Sequence, residues 1–129
     1  MTNNEFEMLT GGCTPRPNEE RQRLLAMARS RRDIASRMYV SPSGADQVDA
    51  YAWDLCADAY GCIAYGASPD VVISWAKGKW CAYAVSMREK VSAAPKIRMG
   101  PSAGHSVISH RWTSDEFIDS MLARVKSCR

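Results

Sequence analysis

The chain has 129 residues, of which 46% are hydrophobic and 24% are charged, and its formal net charge at pH 7 is +3. A chain of this length fits one domain, and its hydrophobic content is ordinary for a globular protein, which excludes wholesale disorder. The mildly basic pI of about 8.7 is compatible with nucleic acid as a partner but does not require it.

Positive and negative residues are separated into blocks along the chain. Between Val40 and Ala76 there is no lysine, arginine or histidine, whereas both flanks are basic. Opposite charge blocks attract one another within a fold, while an unmatched block faces a partner. The acidic residues of the middle block are Asp46, Asp49, Asp54, Asp58 and Asp70.

Residues 1–17 contain a glycine pair and a Pro-Arg-Pro run, and they predict a flexible N-terminal arm. A single helical domain is predicted over residues 18–129. The polar start of the chain differs from the basic start and apolar run of a signal peptide, and no stretch is apolar enough to span a bilayer. Five cysteines at irregular spacing argue against the disulfide framework of a secreted protein, so we predict a reducing, cytoplasmic location and no membrane partner.

The first predicted helix spans residues 18–39. Asn18 is a suitable N-cap, and the glutamates after it complement the positive end of the helix macrodipole. Apolar residues recur on one face of this helix, and Arg31 lies inside that face. Because a buried arginine requires a partner, we predict either a salt bridge from Arg31 to an aspartate of the next helix or an interface that Arg31 anchors.

The same helix carries a concentration of arginines. The guanidinium group binds phosphate oxygens well, so the helix is a candidate phosphate-binding element. The competing interpretation is a solvated face whose charge is neutralised by the next helix. The arginines predicted to contact a partner are Arg29, Arg31, Arg32 and Arg37.

A second helix is predicted over residues 45–65, with apolar residues at helical spacing on one side. The opposite side carries two carboxylates spaced i and i+4 and two tyrosines. Paired carboxylates suit a metal ion or acid–base chemistry, but no third ligand lies nearby in sequence, which favours an arginine partner or a solvated pair. If exposed, this acidic–aromatic stripe would meet a basic protein surface, and otherwise it is a half-buried rim. The stripe consists of Tyr51, Asp54, Asp58 and Tyr65.

The stretch after Pro69 has two competing interpretations. Ser68 can cap a helix that Pro69 begins, and the residues up to about Ser92 are apolar on nearly all sides, which is typical of a central, buried helix. Three β-branched residues in a row and a Lys-Gly turn signal instead favour a hairpin over residues 71–85. We predict the helix, in which Gly78 costs about 1 kcal/mol relative to alanine.

Residues 93–111 predict an irregular basic loop, and residues 114–126 predict the last helix. Thr113 and Glu116 form a capping box at its start. The loop combines glycine, serine and basic residues, a composition that can cradle a phosphate, although the Walker pattern is absent. Its candidate phosphate contacts are Lys96, Arg98 and Arg111.

These elements predict an all-α fold of about four helices in a compact bundle, with an α+β fold containing the hairpin as the alternative. Cys56 and Cys62 are spaced more widely than usual zinc ligands, and no nucleophile motif surrounds any cysteine or serine. We therefore predict a non-enzymatic protein without cofactor or metal, which acts through protein–protein contact. An inhibitor of a host nucleoprotein defence machine, encoded by a phage or mobile element, fits this profile. The alternative is a nucleic-acid-binding protein that uses the arginine-rich helix and the basic loop.

Overall fold

Helices make up most of the chain that the computed structural model describes, which comprises residues 1–40, 44–93 and 115–127. No strand occurs within these ranges, so the predicted all-α fold is confirmed. The alternative hairpin over residues 71–85 is wrong, because that segment lies inside one helix. The helices within these ranges are α1 (Asn3–Thr10), α2 (Asn18–Tyr39), α3 (Gly44–Ala64), α4 (Pro69–Ala93) and α5 (Asp115–Lys126).

Helix bounds follow the predictions closely for four of these elements. Asn18, however, is the first helical residue of α2 rather than its cap, and its Oδ1 accepts a hydrogen bond of 3.1 Å from Arg21 Nη2. The capping residue Thr113, the basic loop and its candidate phosphate contacts lie outside the described residues. None of the described helices combines the length and the apolarity that a bilayer crossing requires.

The central helix of the structure is α3, whereas the sequence predicts a central helix in the segment that forms α4. Helix α3 contacts α1, α2, α4 and α5. Alanines make up much of its buried surface, and their small side chains allow the surrounding helices to approach closely. The buried apolar residues of α3 are Val48, Ala50, Ala52, Leu55, Cys56, Ala57, Ala59, Tyr60, Cys62, Ile63 and Ala64.

Helix α4 is buried on one stripe only. Its buried side chains recur every four residues from Val72 to Ala84, with Trp80 as the largest of them. Val71 and Val85, in contrast, are 54% and 46% exposed. The predicted burial of this helix on all sides is therefore wrong, because an apolar helix is buried only where other elements cover it.

The first residues form a helix where the sequence predicts a flexible arm. Thr2 and Glu5 make a complete capping box at the start of α1, and Leu9 is buried in the core. The segment after α1 returns to the end of α3, where the Arg16 amide donates a hydrogen bond of 3.0 Å to the Ala64 carbonyl. Gly66 has a φ of +97° there, and a side chain at this position would collide with the Thr14 carbonyl.

Replacing Gly78 by alanine tests whether α4 runs without interruption. Gly78 is exposed within the helix, and an alanine Cβ there would meet no atom within 4 Å. We expect Gly78→Ala to raise the free energy of unfolding by about 0.5–1 kcal/mol in urea denaturation, because alanine has the higher helix propensity.

The matched control is Gly66→Ala, which we expect to lower the free energy of unfolding by more than 1 kcal/mol. Gly66 has a left-handed backbone and no space for a Cβ atom. A lower urea midpoint for Gly78→Ala would contradict a continuous helix, because glycine stabilises this position more than alanine only if the backbone there forms a turn.

Candidate functional site

The two carboxylates of the acidic–aromatic stripe share one arginine of α2. Arg32 Nη2 lies 2.6 Å from Asp58 Oδ1, and Arg32 Nη1 lies 3.5 Å from Asp54 Oδ1. Burial raises the pKa of Asp54, and a hydrogen bond from Tyr39 and the charge of Arg32 oppose that increase. The predicted arginine partner of this pair is therefore present, and it is Arg32 that supplies it.

The two tyrosines of the stripe also contact other helices. Tyr51 stacks on Tyr83 of α4 with ring centroids 4.1 Å apart, and Tyr65 meets Phe6 of α1 edge to face at 5.6 Å. Tyr51 is half-buried, and Tyr65 is 38% exposed. All four stripe side chains therefore have contacts within the chain, while Tyr65 also keeps exposed surface, so the docking stripe stays a prediction.

Helix α1 is held against this region by polar contacts as well. Glu5 Oε2 accepts a hydrogen bond of 2.8 Å from Trp75 Nε1 and lies 3.0 Å from Lys79 Nζ. The Lys79 and Trp75 hydrogen bonds, with a further bond from the Thr2 backbone, lower the pKa of Glu5 to about 2. The Met1 amino group lies 3.4 Å from Asp58 Oδ2. Helix α1 therefore bridges α3 and α4.

Arg31 has a different environment from its neighbour Arg32. Its guanidinium carbon lies 5.2 Å from the centre of the buried Tyr60 ring, which is a cation–π contact. Among the described side chains no carboxylate forms a salt bridge with Arg31, so the predicted pairing with an aspartate of α3 is not seen there. Arg31 is half-buried, and its position inside an apolar face is as predicted.

Arg31 lines a groove of about 230 Å³ between α2, α3 and α5. Three half-buried apolar residues of α2 lie on the same helix face as Arg31 and extend this surface. They are Met27, Ile34 and Met38. The groove, called the Arg31 groove below, is lined by Arg31, Trp53, Cys56, Tyr60, Ser120, Met121 and Arg124.

The sequence did not identify the groove residues of α3 and α5. Trp53, Cys56 and Tyr60 have the i, i+3, i+7 spacing of one helix face, and Met121 and Arg124 are three residues apart. That spacing was a detectable signal for a shared face. The helix that packs beside this face is set by the arrangement of the bundle. Residue spacing within one helix does not predict that arrangement.

The four arginines predicted to contact a partner do not form one surface. Arg29 and Arg31 lie about 200° apart around the helix axis, so they face different sides of α2. Arg32 is engaged with the aspartates, and Arg37 is exposed, with its Nε donating to the Asp33 carbonyl at 3.3 Å. Only Arg31 lines the groove between α2, α3 and α5.

The cysteines of the central helix are apolar in character. Cys56 and Cys62 are both buried, and burial raises the pKa of the Cys62 thiol to about 12, with Asp58 adding to the increase. Within the part of the chain that the structure describes, no three histidine, cysteine or acidic side chains come together as a metal site. Comparison with protein-family models, with curated proteins and with solved structures yields no match.

The pKa of Glu5 provides a test of how α1 is held. Because the pKa falls from 4.5 to about 2 on folding, the contribution of Glu5 to stability is fully present above pH 4.5 and is lost as the pH falls through 2. Replacing Lys79 by methionine removes the largest cause of this decrease. We expect Lys79→Met to raise the Glu5 midpoint toward 4.5 in a carboxyl-detected NMR titration.

The control for this titration is Lys77→Met. Lys77 lies on the same helix, but its Nζ pairs with Asp119 Oδ1 of α5 at 2.7 Å instead of with Glu5. This variant should leave the Glu5 midpoint near 2. A wild-type midpoint near 4.5 would show that α1 is not held by these contacts.

Proposed function

We propose that this is a non-enzymatic binding protein and that the Arg31 groove is the surface that binds a protein partner. The observation that carries the proposal is the placement of Arg31, a half-buried cation that is held over an aromatic ring and faces a groove instead of a carboxylate. Arginines in such settings are common at binding hot spots.

The charge and polarity of the groove define the partner side chain that fits it. Among the described lining residues there are two guanidinium groups and no carboxylate, and the remaining surface is largely aromatic and thioether. A partner segment with an aspartate or glutamate beside an apolar side chain complements both features. The carboxylate would form charge-assisted hydrogen bonds with Arg31, while the apolar side chain would pack against Trp53 and Met121.

The cation–π contact also supports this assignment. The ring of Tyr60 limits the conformations of the Arg31 side chain before a partner arrives, which reduces the conformational entropy lost on binding. The guanidinium keeps hydrogen-bond donors for a carboxylate, since the ring interacts with its face. Met27 and Ile34 supply apolar surface on either side of the anchor.

A nucleic-acid-binding function is the alternative, and one observation favours it. Arg23, Arg29 and Arg37 are all exposed on α2, away from the Arg31 groove. Phosphate contacts by these residues would make the affinity fall steeply with salt concentration. The narrower proposal, an inhibitor of a nucleoprotein machine, rests on the sequence profile alone.

Selection from a random peptide display library tests the protein-binding proposal directly. With the full chain as bait, we expect enrichment of peptides that carry aspartate or glutamate next to an aromatic or aliphatic residue. Arg31→Met should weaken these peptides at least tenfold, about 1.4 kcal/mol, because it removes the guanidinium and retains the apolar stem.

Arg37→Met is the matched control, since Arg37 is an exposed arginine of the same helix outside the groove. It should leave the affinity of the selected peptides unchanged. Enrichment that is indifferent to Arg31→Met, or the absence of any enrichment, would overturn the proposal. Retention of nuclease-sensitive nucleic acid that is lost in the Arg29→Met and Arg37→Met double variant would instead favour the alternative.

A further inference from the structure

We infer that a second groove, between α1, α2 and α3, is a binding site for a small molecule with an apolar body and one carboxylate group. This α1 groove has a volume of about 440 Å³ and is bounded by Phe6, Leu25, Ala28, Arg29, Ala57 and Gly61. None of these residues lines the Arg31 groove, so the inference is independent of the proposed function.

The size and the floor of the α1 groove suit a small organic molecule. Its volume lies within the range of about 300–1,000 Å³ that is typical of ligand sites. The floor consists of Ala28 of α2 and of Ala57 and Gly61 of α3, whose small side chains leave room beside the helix backbones. A Cβ atom added at Gly61 would meet no atom within 4 Å.

The walls of the groove are apolar. Phe6 of α1 and Leu25 of α2 both line it, and both also pack against the hydrophobic core. The Cys62 thiol adds to this apolar wall, since burial keeps it protonated. Burying an apolar ligand body against these walls would stabilise a complex, because apolar surface is removed from water.

The polar rim of the groove selects an anion. Asp58 is the acidic residue among the described lining side chains, and its charge is matched by Arg32 at 2.6 Å. Arg29 also lines the groove, is exposed, and forms no ion pair with any described side chain. A ligand carboxylate beside Arg29 would gain a charge-assisted hydrogen bond, whereas a ligand cation would be repelled by Arg29.

Titration of the full chain with sodium decanoate below its micellar concentration tests the inference. Decanoate has an apolar tail that fits the volume and a single carboxylate. By isothermal titration calorimetry we expect saturable binding at one site, with amide shifts in ¹⁵N-resolved NMR spectra at Ala57 and Gly61. Decylamine, which has the same tail and the opposite charge, should bind at least tenfold more weakly.

Two glycine variants locate the site. Gly61→Leu places a side chain in the open space of the groove, and we expect it to weaken decanoate binding at least tenfold. Gly78→Leu is the matched control, because Gly78 also lies within a helix with open space around its Cβ position but is remote from the groove lining. It should bind decanoate as the wild type does.

Arg29→Gln tests the anion contact and should weaken decanoate about fivefold without weakening decylamine, because the variant removes a charge that repels the amine. Arg31→Met should leave decanoate binding unaltered, which separates this site from the Arg31 groove. The inference is overturned if decanoate does not saturate a site, if decylamine binds equally well, or if Gly61→Leu binds like the wild type. If Gly61→Leu does not fold, the wild-type NMR titration decides. The inference is then overturned if decanoate shifts amides elsewhere in the chain and not those of Ala57 and Gly61.

Discussion

The arrangement of the bundle depends on one constraint, which is that the helix surrounded by the others contains no basic residue. Helix α3 therefore needs cations from its neighbours to balance the carboxylates on its surface. Arg32 of α2 supplies one for both Asp54 and Asp58. This pairing connects the charge blocks of the sequence to the packing of the helices, since the acidic block becomes the centre of the fold and a basic block lies against it. Part of the charge separated along the chain is therefore neutralised within the fold. The remaining cations are available for a partner.

Two adjacent arginines of α2 contact different groups, because one residue corresponds to a rotation of about 100° around the helix. Arg32 reaches the aspartates, while Arg31 reaches the opposite edge of α3 and lies over the ring of Tyr60. The first contact satisfies hydrogen-bond donors of the guanidinium, and the second leaves them available, because an aromatic ring engages the face of the group. For this reason we propose that the partner surface lies at Arg31. The acidic–aromatic stripe that the sequence also favoured has contacts with α1, α2 and α4.

Helix bounds were predictable because caps, prolines and apolar periodicity are local signals, and these fixed α2, α3, α4 and α5 to within about one residue. Helix α1 was missed although Thr2 and Glu5 formed a readable capping box. An isolated helix of eight residues is unstable in water, and the contacts of Glu5 with Trp75 and Lys79 that hold it are not visible in its own sequence. The central position of α3 was missed for a related reason, since hydropathy ranks alanine below valine and does not reveal which helix acquires the most neighbours. The sequence showed that Arg31 is anomalous. It did not predict the contact with Tyr60, because that contact depends on which side of α3 faces Arg31.

The hydrogen bond between Glu5 and Trp75 joins positions that are 70 residues apart along the chain. Most contacts in a helical bundle are far more local, and the entropy lost in closing a loop increases with the length of that loop. Helix α1 has no surface to dock on until α3 and α4 have come together, because Tyr65, Trp75 and Lys79 all belong to the later part of the chain. During synthesis on the ribosome, helix α1 therefore cannot dock until the residues of α4 have also emerged.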